Sequence, residues 1–238
     1  MLDNPAWGAL NSLQSEFAEG TDRAKRYRKG VLPFIACVSE ENEIPADALD
    51  KLDPLMEKGE VFYIIGRLPV LPKHWTLEFE LPCAQMVLPE GAAGVADSDT
   101  AAKGGQAGTG PTVELLDATH AMEMYELVSR VQPGYYTLDT RLLGNYYGIR
   151  QEGKLVAMAG ERMRLTGFCE LSAIVTDPGY TGKGYAQKLI THICGIHFRE
   201  GIRSMLHVAL TNERAIRLYE HMGFRHRREI SFWRCRKE

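Results

Sequence analysis

Between Asp177 and Ala186 the chain reads DPGYTGKGYA, with three glycines and a lysine inside six residues. A strand-like run, CELSAIVT (169–176), precedes it, and a long amphipathic pattern from about Gly184 to Glu200 follows. This junction constrains the fold more than any other feature. Gly182 and Gly184 lack a Cβ, so several backbone N–H groups can turn toward one point. The helix that follows presents its unsatisfied N–H groups and positive dipole end to the same point. Strand, glycine loop and helix together predict a seat for an anion such as a pyrophosphate, with Lys183 able to add a charge. The bland alternative is a plain strand-to-helix turn in which glycine is merely tolerated. A nicotinamide site fits poorly. Gln187 stands where the third glycine of GxGxxG belongs, and only one more strand, a short helix and a last strand follow. The P-loop pattern fails too, since Lys183 is followed by Gly184 rather than Ser or Thr.

The junction sits in an ordered series of elements. TVELL (112–116) reads as a strand, and Asp117 or Thr119 can cap a helix carrying Met122, Tyr125, Leu127 and Val128. NYYGIRQ (145–151), KLVAMAGERMRL (154–165) and CELSAIVT (169–176) form a meander joined at Glu152-Gly153 and Thr166-Gly167. After the helix come a strand, RSMLHVAL (203–210), a helix over 212–222 and a last strand, RREISFWRCR (227–236). The crossover makes strands 169–176 and 203–210 parallel. The predicted class is α+β, a mixed and mostly antiparallel sheet with one parallel βαβ unit.

Upstream, GAAGVADSDTAAKGGQAGTG (91–110) holds six glycines, six alanines and no aromatic residue, and reads as a linker or loop. It divides an N-terminal α/β part, 1–90, from a C-terminal part, 111–238. In the former, Asn4 caps a helix with Pro5 at its first position and Trp7, Leu10, Leu13 and Phe17 near helical spacing. VLPFIACV (31–38) reads as a strand that Pro33 pushes toward an edge. Residues 46–58 read as a helix broken at Pro54. EVFYIIGR (60–67), WTLEFE (75–80) and AQMVL (84–88) read as three strands, with Trp75, Leu77 and Phe79 sharing one face. With no glycine loop or polar cluster, this part is expected to be non-catalytic.

Composition removes several functional classes. A net charge of −3 leaves no basic footprint for nucleic acid. Five scattered cysteines without a CxxC pair point to reduced thiols, not a disulfide frame or zinc site. No signal-peptide pattern opens the chain, and no apolar run approaches the roughly 20 residues a membrane helix needs, so a cytoplasmic protein, monomeric or homodimeric, is expected. His192 and His197 lie five apart on one helix and do not share a face; with His207, His221 and His226 they read as core or surface residues, and no metal is expected.

VTDPGYTGKGYAQKLI (175–190) followed by NERAIRLYEHMGF (212–224) resembles the GNAT superfamily of N-acyltransferases. The superfamily's coenzyme A loop, [Arg/Gln]-x-x-Gly-x-[Gly/Ala], is matched at Gly182 and Gly184, with Gly179 in the Arg/Gln place. Its second motif is matched at Asn212, Ala215, Tyr219, Gly223 and Phe224. The resemblance covers 112–238. GERMRLTGFCELSAIVTDP (160–178) is similar to the branch related to glycine N-acyltransferases, which implies that the N-terminal part is a degenerate copy of the same fold.

The resemblance implies an enzyme that moves an acetyl group from acetyl-CoA, or a related acyl-CoA, to a primary amine by direct transfer in a ternary complex, using no metal. Tyr219 is implied as the general acid toward the coenzyme sulfur; a phenol pKa near ~10 keeps it protonated at neutral pH. The two parallel strands are implied to splay around the coenzyme. Backbone amides near Ile174, Val175 and Thr176 would then receive the thioester oxygen and pair with the pantetheine arm. Thr181, Gly182, Lys183, Gly184, Tyr185 and Ala186 would hold the diphosphate, with Asn212 and Ala215 beside the arm. Asn212 is equally explained as an N-cap. Glu170 is the candidate base acting through water, with Glu161 its competitor; the alternative for Glu170 is an ion pair with Arg162 or Arg164 on the neighbouring strand. Tyr135, Tyr136 and Arg141 fall in the loop that walls the acceptor site, where Arg141 could grip a carboxylate. A non-catalytic acyl-CoA-binding module and a nucleotide-dependent enzyme are the rival readings. The acceptor stays open.

Overall fold

The computed structural model describes residues 1–38, 44–45, 47–91 and 111–238. They form one eleven-stranded sheet with four α-helices. The N-terminal part supplies α1 (Pro5–Leu10), β1 (Ala18–Gly20), β2 (Ala24–Tyr27), β3 (Phe34–Cys37), β4 (Val61–Ile65) and β5 (Trp75–Val87). The C-terminal part supplies β6 (Val113–Leu116), α2 (Ala121–Val131), β7 (Tyr146–Gln151), β8 (Lys154–Leu165), β9 (Phe168–Thr176), α3 (Tyr185–Arg199), β10 (Arg203–Ala209), α4 (Glu213–His221) and β11 (Arg225–Lys237). The strand order is β1-β2-β3-β4-β11-β5-β10-β9-β8-β7-β6. Each part thus passes its last strand to the other: β11 lies against β4, and β5 against β10. The pairing senses repeat as well. β2–β3 is antiparallel and β3–β4 parallel, just as β8–β9 is antiparallel and β9–β10 parallel.

The sheet curls. The helix α1 touches both β2 and β8, which stand seven places apart and would be roughly 34 Å apart in a flat sheet. One face therefore wraps α1, whose Ala6, Ala9 and Leu10 pack with Tyr27, Phe34, Met163 and Phe232. Cys83 and Met205 point to this face. Their neighbours Ala84 and Leu206 point to the other, where Leu189, Ile190 and Ile193 of α3 are fully buried, each contributing about 2 kcal/mol. The meander turns at Glu152 and Gly153, with φ of 51° and 78°, are those of a tight hairpin.

Several expectations are corrected. Asn4 does cap α1, accepting from Trp7 N at 3.4 Å, but the helix ends at Leu10 and Phe17 lies in a separate turn. The strand after Pro33 is interior, between β2 and β4, and wholly buried. Pro33 precedes its first residue, so the missing N–H costs no ladder bond, while its carbonyl accepts from Tyr63 N at 2.7 Å. Of 46–58, the described residues form turns and one 3₁₀ turn, Asp53–Leu55, rather than a helix. The runs 75–80 and 84–88 are one strand, β5. Its proline, Pro82, falls where β5 passes from one neighbour, β11, to two. Leu77 and Phe79 are exposed there rather than buried with Trp75. In α2 the buried residues are Met124, Leu127 and Val128, with Met122 exposed. Residues 92–110, most of the stretch read as a linker, lie outside the described residues. None of the described helices is long and apolar enough to cross a membrane.

Candidate active site

The parallel strands β9 and β10 pair only from Phe168 to Glu170 against Arg203 to Met205. Beyond that they part. In β9 the ladder to β8 slips between Ser172, opposite Gly160, and Val175, opposite Met158. Ala173 takes a φ of 48° there, a left-handed value unusual for alanine. Ala173 and Ile174 are left without ladder partners on either side, and both line the cavity that opens between the strands.

The glycine loop closes one end of this gap. The side chain of Asp177 accepts from Gly179 N at 3.0 Å and is held by Lys154 Nζ at 3.0 Å and Arg130 Nη2 at 3.1 Å. These cations and the Gly179 amide hold its carboxyl below the ordinary range, with Lys154 foremost. Gly182 and Gly184 have φ of 78° and 75°, and Gly184 is the N-cap of α3. The result is a cleft of about 410 Å³ running from the loop to α4. Its walls hold Ile174, Thr176, every residue from Thr181 to Ala186, Asn212, Ala215 and Tyr219. The side chain of Val175 points into the core with Met158 and Tyr136; the expectation for this residue concerns its backbone amide. Arg214, exposed like Lys183 and lining the same cleft, is a residue sequence reasoning missed. Asn212 is the N-cap of α4, its Oδ1 accepting from Ala215 N at 3.2 Å.

A second cavity of about 290 Å³ adjoins the first and shares Ile174, Asn212, Ala215 and Tyr219 with it. Its remaining walls include Cys83 from β5, Arg162, His207, Phe232 and Tyr135. Tyr219 therefore stands where the two cavities meet. Burial pushes its phenol up to about 12, so it stays protonated at neutral pH. The loop residues divide. Tyr135 lines this cavity and packs on Tyr63 with ring centroids 4.8 Å apart. Tyr136 is buried edge-on against Tyr146, and neither it nor Arg141 lines the cavity.

Glu170 does not have the surroundings of a general base. It is 0% exposed, and both its oxygens are taken. Arg162 Nε donates to Oε2 at 2.8 Å and Nη2 to Oε1 at 2.6 Å, with His207 Nδ1 2.6 Å from Oε1. Burial pushes the carboxyl upward, but Arg162, followed by His207, outweighs it and holds the pKa at about 2. The ion pair with Arg162 is the arrangement found. Glu161 is similarly engaged: its carboxylate meets His197 Nε2 at 2.9 Å and accepts from Asn145 N at 3.1 Å. Burial acts against ionisation there too, yet His197 and the Asn145 amide leave the group below its ordinary range. Cys169 lies near this pair, and His197 Nδ1 is 2.8 Å from Ser204 Oγ. Arg162 itself is clamped over Phe34, 4.8 Å from the ring centroid.

Comparison with known proteins agrees with this geometry. The acetyltransferase (GNAT) family profile matches residues 115–224. A crystal structure from Novosphingobium aromaticivorans, assigned to the GNAT family of acetyltransferases, is similar over 100% of this chain and 98% of that one, with 30% identity and a TM-score of 0.82. A GCN5-related N-acetyltransferase of Kribbella flavida shares the fold over 98% and 92% of the two chains, at 13% identity and a TM-score of 0.58. No curated protein sequence matches the chain. The splayed strands, the glycine loop and the full-length likeness at 30% identity establish that the chain belongs to the GNAT family of acetyltransferases.

Proposed function

We propose that the protein is an N-acetyltransferase that takes acetyl-CoA, or a closely related acyl-CoA, in the cleft beside the glycine loop and a primary amine in the adjoining cavity. The observation that carries this reading is the meeting of the two cavities at Ile174 and Tyr219, beside a stretch of β9 with no ladder partner. The amides from Thr181 to Ala186 and the N-terminus of α3 offer donors to a diphosphate, and Lys183 and Arg214 offer charge in the same cleft. The amides of Ala173 and Ile174, residues without a ladder partner, are the donors for the oxygen of a thioester.

The amine, having lost one proton to water, attacks the thioester carbon. The C–N bond forms, the C–S bond breaks, and Tyr219 donates its proton to the departing sulfur. The second nitrogen proton then restores the phenol. Glu170 serves as the anion that fixes Arg162, not as the base. The N-terminal part, 1–90, supports the acceptor side through Leu81 and Cys83 and carries no step. The likeness of Gly160–Pro178 to the glycine N-acyltransferase branch supports placing the chain there.

Calorimetric titration of CoA into the protein should show binding. A panel of amino acids, polyamines, aminoglycosides and peptide N-termini should then reveal acetyl-CoA-dependent thiol release with at least one amine. Absence of CoA binding overturns the reading; binding without turnover of any amine leaves a binding module instead.

A further inference from the structure

The polar wall of the acceptor cavity continues beneath it. Four neighbouring strands, β9, β10, β5 and β11, carry Glu170, His207, Gln85 and Arg227, joined in one line of contacts. His207 and Gln85 are cross-strand partners. Arg227 is the extra residue of a β-bulge, since His226 pairs with Met86 and Arg228 with Gln85. Arg227 Nη1 donates to Gln85 Oε1 at 2.8 Å. Gln85 Nε2 donates to the Leu2 carbonyl at 2.8 Å and lies 3.0 Å from His207 Nε2. Asp3 anchors the outer end, 2.9 Å from Arg227 Nη2 and 2.8 Å from Arg228 Nη1.

Two members of this line have no choice of role. The Leu2 carbonyl can only accept and Arg227 can only donate. Between them they fix which way the Gln85 amide points. Its remaining N–H then faces His207 Nε2, which must accept it. The imidazole is therefore neutral with its proton on Nδ1, and that proton goes to Glu170. The hydrogen bonds run one way, from Arg227 at the surface to Glu170. Glu170 in turn grips Arg162 through Nε and Nη2, leaving Nη1 as the guanidinium nitrogen it does not engage, on a side chain that lines the acceptor cavity. Gln85 is 0% exposed and is not itself part of the cavity wall.

From this geometry, and resting on the acyl-transfer reading above, we infer that Gln85 is a positioning residue for the acceptor site: it sets the tautomer of His207, which steadies Glu170 and so holds Arg162 in the cavity wall. The chain's first residues belong to the same device, through the Leu2 carbonyl and Asp3. A residue of the N-terminal part thereby acts on acceptor binding without touching the acceptor.

The test uses full-length protein labelled with ¹⁵N. Imidazole spectra, with His207 assigned through His207→Gln, should show a protonated Nδ1 and a bare Nε2; in Gln85→Leu that preference should be lost. With acetyl-CoA and the amine best turned over in the panel, Gln85→Leu should lower kcat/KM for the amine by about tenfold or more while acetyl-CoA affinity stays within about twofold. Arg227→Met, changed at the partly exposed end, should show a smaller loss of the same kind and stands in should Gln85→Leu not fold. A protonated Nε2 in the wild type overturns the inference, as does unchanged amine turnover in Gln85→Leu or an equal loss of acetyl-CoA affinity. Should the wild type acylate no amine, the acyl-transfer reading fails, and the tautomer alone decides this one.

Discussion

Replacing Glu170 by Gln keeps the side chain's shape and removes its charge, which leaves the guanidinium of Arg162 buried without a counter-ion. The loss can be gauged from the carboxyl itself. Its descent from an ordinary 4.5 to about 2 corresponds to about 3 kcal/mol of stability at neutral pH. That agrees with the roughly 3–5 kcal/mol found when one member of a buried pair is removed. The sign follows from the folded carboxyl having the lower pKa. The contribution is complete above pH 4.5 and disappears as pH falls toward 2. Urea unfolding followed by tryptophan fluorescence should therefore place Glu170→Gln about 3 kcal/mol below the wild type at pH 7, with an unchanged m-value. At pH 3 the gap should shrink to less than half, because the wild type has by then lost most of its own advantage. A gap below about 1 kcal/mol at pH 7, or one that is the same at pH 3, refutes the ion-pair account. The rate profile gives an independent check. If Glu170 were the base, Glu170→Gln would abolish an ascending limb of kcat/KM against pH; as an anchor for Arg162, it should lower the rate without changing the profile's shape.

Tyr219→Phe should reduce kcat by about 10²–10⁴ and leave CoA affinity unchanged, measured by thiol release and calorimetry, because the ring's packing survives and only the proton donor is lost. Gly184→Ala should cost about 1 kcal/mol in urea unfolding and weaken CoA binding: an added Cβ finds space, its nearest neighbour being Gln187 Oε1 at 3.9 Å, but φ is 75°. Gly160→Ala should cost about 3 kcal/mol or more, since there the Cβ would lie 2.2 Å from Tyr146 Cδ1.

The C-terminal half was legible because its signals are local. The glycines before α3, the Asn212 cap of α4 and the alternation of β7 to β9 each lie within a few residues of what they determine, and the cleft proposed for the coenzyme assembles from those same segments. What sequence could not show depends on partners far along the chain. Pro33 weakens a strand only if its missing N–H faces a neighbour, and that depends on where β3 begins. Leu77 and Phe79 alternate like core residues, yet there β5 has β11 on one side and no β10 on the other. Ala48, Leu49 and Leu52 are buried at helical spacing, but Pro54 follows and the segment packs as turns.

Glu170 shows the same limit in the site itself. A carboxylate on one strand of the splayed pair reads equally as a base or as the partner of Arg162 across the β8–β9 hairpin; the choice is settled only when His207 of β10 is also seen to converge on it, and that convergence is not encoded in local spacing. Pairing across the two parts has a further consequence. With β5 between β10 and β11, residues 111–238 taken alone would expose both flanking strands along the length where Cys83 and Gln85 now stand. One wall of the acceptor cavity and the tether of His207 would leave with them. The coenzyme cleft, whose walls lie wholly within 174–219, would keep its lining residues. On the proposed acyl-transfer reading, acceptor selection thus depends on the joined sheet, whereas coenzyme binding depends on one βαβ unit and the helix after it.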